Sequence, residues 1–413
     1  MIATSDGIAE RMLGRTDADG TVDLVMQRVF LHLGLPKTGT TNLQDRLWRN
    51  RDTALADFGL LYPGNLISDH FHAAVHLQPD RYLDWVDPAF AGSWPTMLAQ
   101  MKNWPQTSLV SHELFSTATP ETVDRILADL SFADEVHVIA TVRDLARQLA
   151  SVWQENVKNQ RVATFGEFVS SVRAHAGPPG DGSLTPGSEG RLLPEAIEEE
   201  PFWEFQDHVR ILRTWSERLG AARVHVVTVP ARGTDGSLWD RFLSVLEVDG
   251  AALTAQVPGT NSSLSAAQAE FLRLLNRRLG PDQIPWERYE RVVKGQLVGE
   301  ILFRSQEGVP QGLSADQRVW VSAHAAAMTG SIRSAGYRVG GDLDDLTVSR
   351  VTGPDAKPPT GQAVLDVALD TLSEMVRSAP LPRTRPRWQT EAKNVARRIR
   401  RRALSLRTRR TAH

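Results

Sequence analysis

The chain of 413 residues contains no cysteine. That excludes a disulfide framework, a thiolate metal site and a cysteine nucleophile, so covalent or metal chemistry would have to use other side chains. Nor is there an uninterrupted apolar run approaching the roughly 18 residues that a spanning helix needs. The opening residues mix Asp, Glu, Arg and Gly, without the apolar stretch and cleavage pattern of a secretory signal. A soluble, cytoplasmic chain is therefore expected. No internal repeat is present. What is there is ample material for a core, since 41% of the residues are hydrophobic.

Charge is distributed unevenly. Residues 381–413 hold eleven Arg and one Lys against one Glu, a balance of 12 − 1 = +11. With −2 overall, the remainder carries −2 − 11 = −13. Within the tail, Ala392 to Leu406 places Val395, Ile399 and Leu406 among arginines, the pattern of a basic amphipathic helix. Such a segment suits an anionic membrane surface, a sulfated product or the acidic body. Nucleic acid is the least expected partner, and a solvated tail is the plain alternative.

Along the chain, short β-favouring runs alternate with helical patterns. Arg28 to Leu33 ends at Gly34 and is followed by a helix from Thr40 to about Asp57. Thr107 to Ser111 stops at His112, and Glu135 to Val142 stops at Arg143 before a helical stretch, Asp144 to Gln160. Arg223 to Val229 precedes a helix at Ser237 to Leu246, and helices are expected over Ser265 to Leu279 and Ala315 to Ala335. This alternation predicts an α/β fold: a parallel sheet covered by helices on both faces, with ligands bound beyond the carboxyl ends of the strands. Gly34, His112 and Arg143 all fall there. Two Gly- and Pro-rich stretches, Gly177 to Gly190 and Val351 to Gln362, read as unpacked. The first is expected to be a loop near an acceptor. The second separates a body, 28–350, from the linker and tail, 351–413, with 1–27 as an N-terminal extension.

The segment Gly34-Leu-Pro-Lys37-Thr38-Gly39-Thr40-Thr41 has what a phosphate needs. Gly34 and Gly39 free the backbone, Lys37 supplies charge, and Thr40 and Thr41 present hydroxyls where the positive end of a helix begins. It is not the nucleoside-triphosphatase loop GxxxxGK[ST], because Lys37 precedes Gly39 instead of following it. In Pro36 to Thr41 the sequence resembles the sulfotransferases that use 3′-phosphoadenosine 5′-phosphosulfate, whose 5′-phosphosulfate loop reads PKSGTT or PKTGTT after the first strand. Arg143 and Ser151, eight residues apart, are similar to that family's 3′-phosphate site. Pro258 to Ser265, with Asn261 and Ser263, looks like a later Asn-x-Ser-Leu segment, and equally like a helix cap.

The resemblance implies a three-layer P-loop-type fold and sulfuryl transfer to a hydroxyl or amine of a carbohydrate, glycolipid or small metabolite, with no metal. On this reading Lys37, Thr38, Gly39, Thr40 and Thr41 hold the 5′ end of the donor. Lys37 also steadies the transferring group, and Arg143 with Ser151 holds the 3′-phosphate. The acceptor must lose a proton, which calls for a His or carboxylate. His112 and Glu113 both fit, with Glu113 slightly preferred. His72 and His76, one turn apart, have zinc-ligand spacing, but no third ligand is evident nearby. The other readings are a nucleotide kinase or triphosphatase, and a non-catalytic protein acting through its tail. The acceptor and the oligomeric state are not legible.

Overall fold

The structure, a computed structural model, describes residues 26–177, 201–230, 236–257, 263–280, 283–305, 308–348 and 356–379. Most of the N-terminal extension, nearly all of the Gly/Pro stretch at 177–190, Pro258 to Asn261, the start of the 351–362 stretch and the basic tail lie outside the described residues.

The described elements begin with β1 Arg28–His32, α1 Thr40–Phe58, β2 Leu60–Leu61, α2 Asp69–His76, α3 Ser93–Lys102, β3 Thr107–Ser111, α4 Pro120–Asp129, β4 Glu135–Val142 and α5 Leu145–Lys158. They continue with α6 Phe165–Ala174, α7 Phe202–Gln206, α8 His208–Leu219, β5 Val224–Thr228, α9 Leu238–Val245, α10 Ala266–Leu279 and α11 Trp286–Tyr289. A π-helical run Glu290–Leu302, then α12 Ala315–Ala335, β6 Arg338–Gly340 and α13 Gly361–Ser378, complete them. Among the described residues no helix is long and apolar enough to cross a membrane.

Six strands form one sheet in the order β2-β3-β1-β4-β5-β6, and every pairing is parallel. Strand periodicity decides which face each side chain serves. Val29 and Leu31 of β1, with Val138 and Ala140 of β4, enter a core shared with Val123, Ile126, Leu212 and Trp215 of α4 and α8. Phe30 and Ile139 point the other way, into a core with Leu43 and Leu47 of α1 and Phe242 of α9. A third core is mainly helical and joins α5, α6, α10, the π-helical run and α12. Helices thus cover both faces of a parallel sheet, as the alternation predicts.

From β1 the chain moves toward the β2 edge, whereas from β4 it moves toward the β6 edge. Adjacent strands whose connections depart in opposite directions leave a crevice at their carboxyl ends. The turn after β1 and Arg143 after β4 border this crevice. Next to them, on the other side of β1, is the turn after β3 that carries His112 and Glu113.

Candidate functional site

The ladder between β1 and β4 runs on past His32. Leu33 N–H donates to the Ile139 carbonyl at 2.9 Å, Leu35 N–H to Thr141 at 3.0 Å, and Thr141 N–H to Gly34 at 2.6 Å. The chain then turns sharply, with Gly34 at φ 84° and Gly39 at φ 97°. Lys37 also takes a left-handed φ of 67°, which is costly for a residue with a side chain and points to a turn held from outside. The holding contacts are present. Gln148 Nε2 of α5 donates to the Pro36 carbonyl at 2.7 Å, and Arg143 Nη1 donates to the Lys37 carbonyl at 3.3 Å. The helix that follows the turn has Gly39 as its first cap, and no side chain caps it. Its leading N–H groups and its positive end therefore face the crevice.

Below the turn lies a buried polar network. Thr38 Oγ1 donates to the Leu35 carbonyl at 2.6 Å and lies 2.6 Å from Thr141 Oγ1. His32 joins this threonine to Ser111, with Nε2 3.3 Å from Thr141 Oγ1 and Nδ1 2.7 Å from Ser111 Oγ. Burial, helped by nearby His112, lowers the His32 pKa to about 3, so the ring stays neutral and serves as a strut. His70 does the same from α2: its Nδ1 accepts the Ser111 N–H at 3.2 Å, and burial lowers its pKa to about 4.

Lys37 does not point into solvent. Its ammonium donates to Glu155 Oε2 at 2.9 Å, and the same oxygen receives Lys158 at 2.6 Å. Despite its burial, Glu155 is held down at a pKa of about 2 by these two cations. Ser151 lies four residues before Glu155 on α5, so helical spacing puts it on the face that meets Lys37. Lys37 and Arg143, read separately from the sequence, meet at this turn, with Ser151 on the helix that follows Arg143.

On the β3 side, Glu113 Oε2 accepts from Thr40 Oγ1 at 2.6 Å. The two loops touch: a Cβ built on Gly34 would lie 2.8 Å from Glu113 Cβ and 2.9 Å from its Cα, so only glycine fits. His112 is occupied otherwise. Its Nδ1 accepts the Leu114 N–H at 3.2 Å and its ring meets Phe71 edge-on. Burial, with His70 and His72 nearby, lowers its pKa to about 3.

The remaining sequence candidates serve the scaffold. His72 stacks on Phe90, and His76 Nε2 donates to the Asp87 carbonyl at 3.0 Å. Ser265 caps α10 in a capping box with Gln268, while Ser263 and Leu264 hydrogen-bond Gln154 of α5. A cavity of about 610 Å³ opens between Arg46 of α1 and Asp240 and Ser244 of α9, but none of residues 34–41 lines it. His32, Gln148 and Glu155 were not singled out from sequence. His32 stands at a strand end, where polar residues recur, whereas Gln148 and Glu155 lie inside α5 and carry no such signal. No family model, curated protein or solved structure matches this chain.

Proposed function

We propose that the chain transfers a sulfuryl group from 3′-phosphoadenosine 5′-phosphosulfate to a hydroxyl or amine of a glycan, glycolipid or small metabolite. One observation carries the reading. At a single turn beyond β1, an uncapped helix start, the Lys37 ammonium, the Arg143 guanidinium and the Glu113 carboxylate converge.

In this reading the amides of Thr38 to Thr41 take the 5′-phosphate, aided by the helix dipole. Lys37 exchanges its contact with Glu155 for the bridging oxygen and neutralises charge there as the sulfur–oxygen bond breaks. Arg143 and Ser151 hold the 3′-phosphate, the former through a forked contact. Glu113 accepts the acceptor's proton as the new oxygen–sulfur bond, or nitrogen–sulfur bond for an amine, forms. The electron pair of the broken bond leaves with adenosine 3′,5′-bisphosphate. Glu113 suits this role better than His112, whose Nδ1 is already accepting and whose lowered pKa makes it a weak base. The scheme includes no metal.

Titration calorimetry with adenosine 3′,5′-bisphosphate and with magnesium ATP tests the reading. Micromolar binding of the bisphosphate supports it. Binding of ATP alone would make the chain a kinase or triphosphatase, and binding of neither would leave the tail as the functional part.

A further inference from the structure

Helix α13 is docked by one side only. Val367, Thr371 and Met375 face the helical core. On the other side Leu365, Leu369, Leu372 and Val376 are 50%, 53%, 58% and 70% exposed. Their spacing of four, three and four residues is that of a coiled-coil seam, which presents one narrow apolar row to one partner helix. At 1.5 Å per residue the row is roughly 16 Å long. Asp366 and Asp370 border it, and Glu374 lies beyond them on the same helix.

The chain runs on from α13 for residues 380–413, with eleven Arg and one Lys against one Glu. Pro380, Pro382 and Pro386 prevent α13 from simply extending, so a helix further on must start afresh. In the predicted helix Ala392 to Leu406, the residues Val395, Ile399 and Leu406 share a face, and 395 to 406 spans as many residues as 365 to 376. Laid antiparallel, the two rows pair Val376 with Val395, Leu372 with Ile399 and Leu365 with Leu406 in one register, and set Leu369 against the aliphatic stem of Arg402. Residues 379–391 number thirteen, and that length of chain can span up to about 43 Å, well beyond the roughly 10 Å between the axes of packed helices.

We propose that segment 392–406 folds back as an antiparallel helix onto the exposed seam of α13, its arginines meeting the acidic border. Charge selects this occupant. An anionic lipid surface would meet Asp366 and Asp370 beside the apolar row, whereas the Arg-rich segment is attracted by them. A second copy would gain only four side chains per partner from the seam, well short of the roughly 800 Å² per side of a stable interface.

The absence of native cysteine makes the test direct. In the full chain, Leu372→Cys with Ile399→Cys should close an intramolecular disulfide under mild oxidation. Leu372→Cys with Arg401→Cys, on the tail's opposite face, should do so at least about tenfold less, because effective concentration depends on geometry. Added salt should lower the yield. Equal yields for the two pairs, no bond, or a bond only between copies would overturn the proposal. So would capture of the chain by phosphatidylserine vesicles that Leu369→Glu/Leu372→Glu abolishes while the cysteine pair stays reduced.

Discussion

At Gly34 the chain has room for no side chain. Its φ of 84° already disfavours one, and the atoms that an added Cβ would strike include the Cα of Glu113, which cannot rotate away. Gly34→Ala should therefore cost roughly 2 kcal/mol or more, measured by urea unfolding. A loss below about 1 kcal/mol would show the two loops to be independent. The charged residues predict function. Lys37→Ala removes a partly buried side chain held chiefly by its ion pair, so stability should change little while transfer falls by about 10² to 10³, the cost of removing one preorganised donor. Glu155→Gln should act oppositely on binding. It keeps the shape, removes the anion shared by Lys37 and Lys158, and leaves a more positive site, so adenosine 3′,5′-bisphosphate should bind several-fold tighter at low salt. Unchanged or weaker binding would mean that Glu155 only braces α5.

Among the elements, the turn after β1 is shaped by its neighbours more than by its own sequence. Thr141 of β4 is the joint, since its hydroxyl meets both Thr38 and His32. Thr141→Val keeps the volume, strands His32 Nε2 and leaves Thr38 Oγ1 with the Leu35 carbonyl alone. The expected cost is about 1 to 3 kcal/mol, together with weaker bisphosphate binding by calorimetry. Retention of both stability and affinity would remove the network from the site. The same joint shows what a sequence can reveal. The turn at residues 34–39 is legible because glycines between a strand and a helix are a local pattern, and β1, β3, β4 and β5 are legible because each repeats its apolar period for several residues. The edge strands β2 and β6 are two and three residues long, too short for a period, and were not read. Helix α13 follows a Gly- and Pro-rich stretch, which in the sequence sets it apart from the body and with the tail. Glu155, Gln148 and His32 acquire meaning only once β4 lies beside β1, a long-range pairing that no local spacing encodes.

For the whole molecule, histidine ties stability to pH. His32, His70, His112, His208 and His225 are lowered to about 3, 4, 3, 4 and 4, in each case mainly by burial. Unfolding returns each to its ordinary value near 6.5, so below that pH the unfolded chain binds protons that the folded chain refuses. Stability is then level above about pH 7 and falls as pH drops through 6.5 toward 4, by roughly 1 kcal/mol per pH unit for each group. Asp207, raised by burial, opposes this only in the carboxylate range. Because total stability is only about 5 to 15 kcal/mol, the fold should be lost by acid well above the pH at which carboxylates alone would release it. Three of the five rings, His32, His70 and His112, surround Ser111 beside the turn after β1, so that region should loosen first. Circular dichroism melts at pH 7.5, 6 and 5 should show a steep drop in Tm, with bisphosphate affinity declining ahead of it. A Tm constant across that interval would mean the rings are hydrated and free to take up protons, and the buried strut beneath the turn would have to be abandoned.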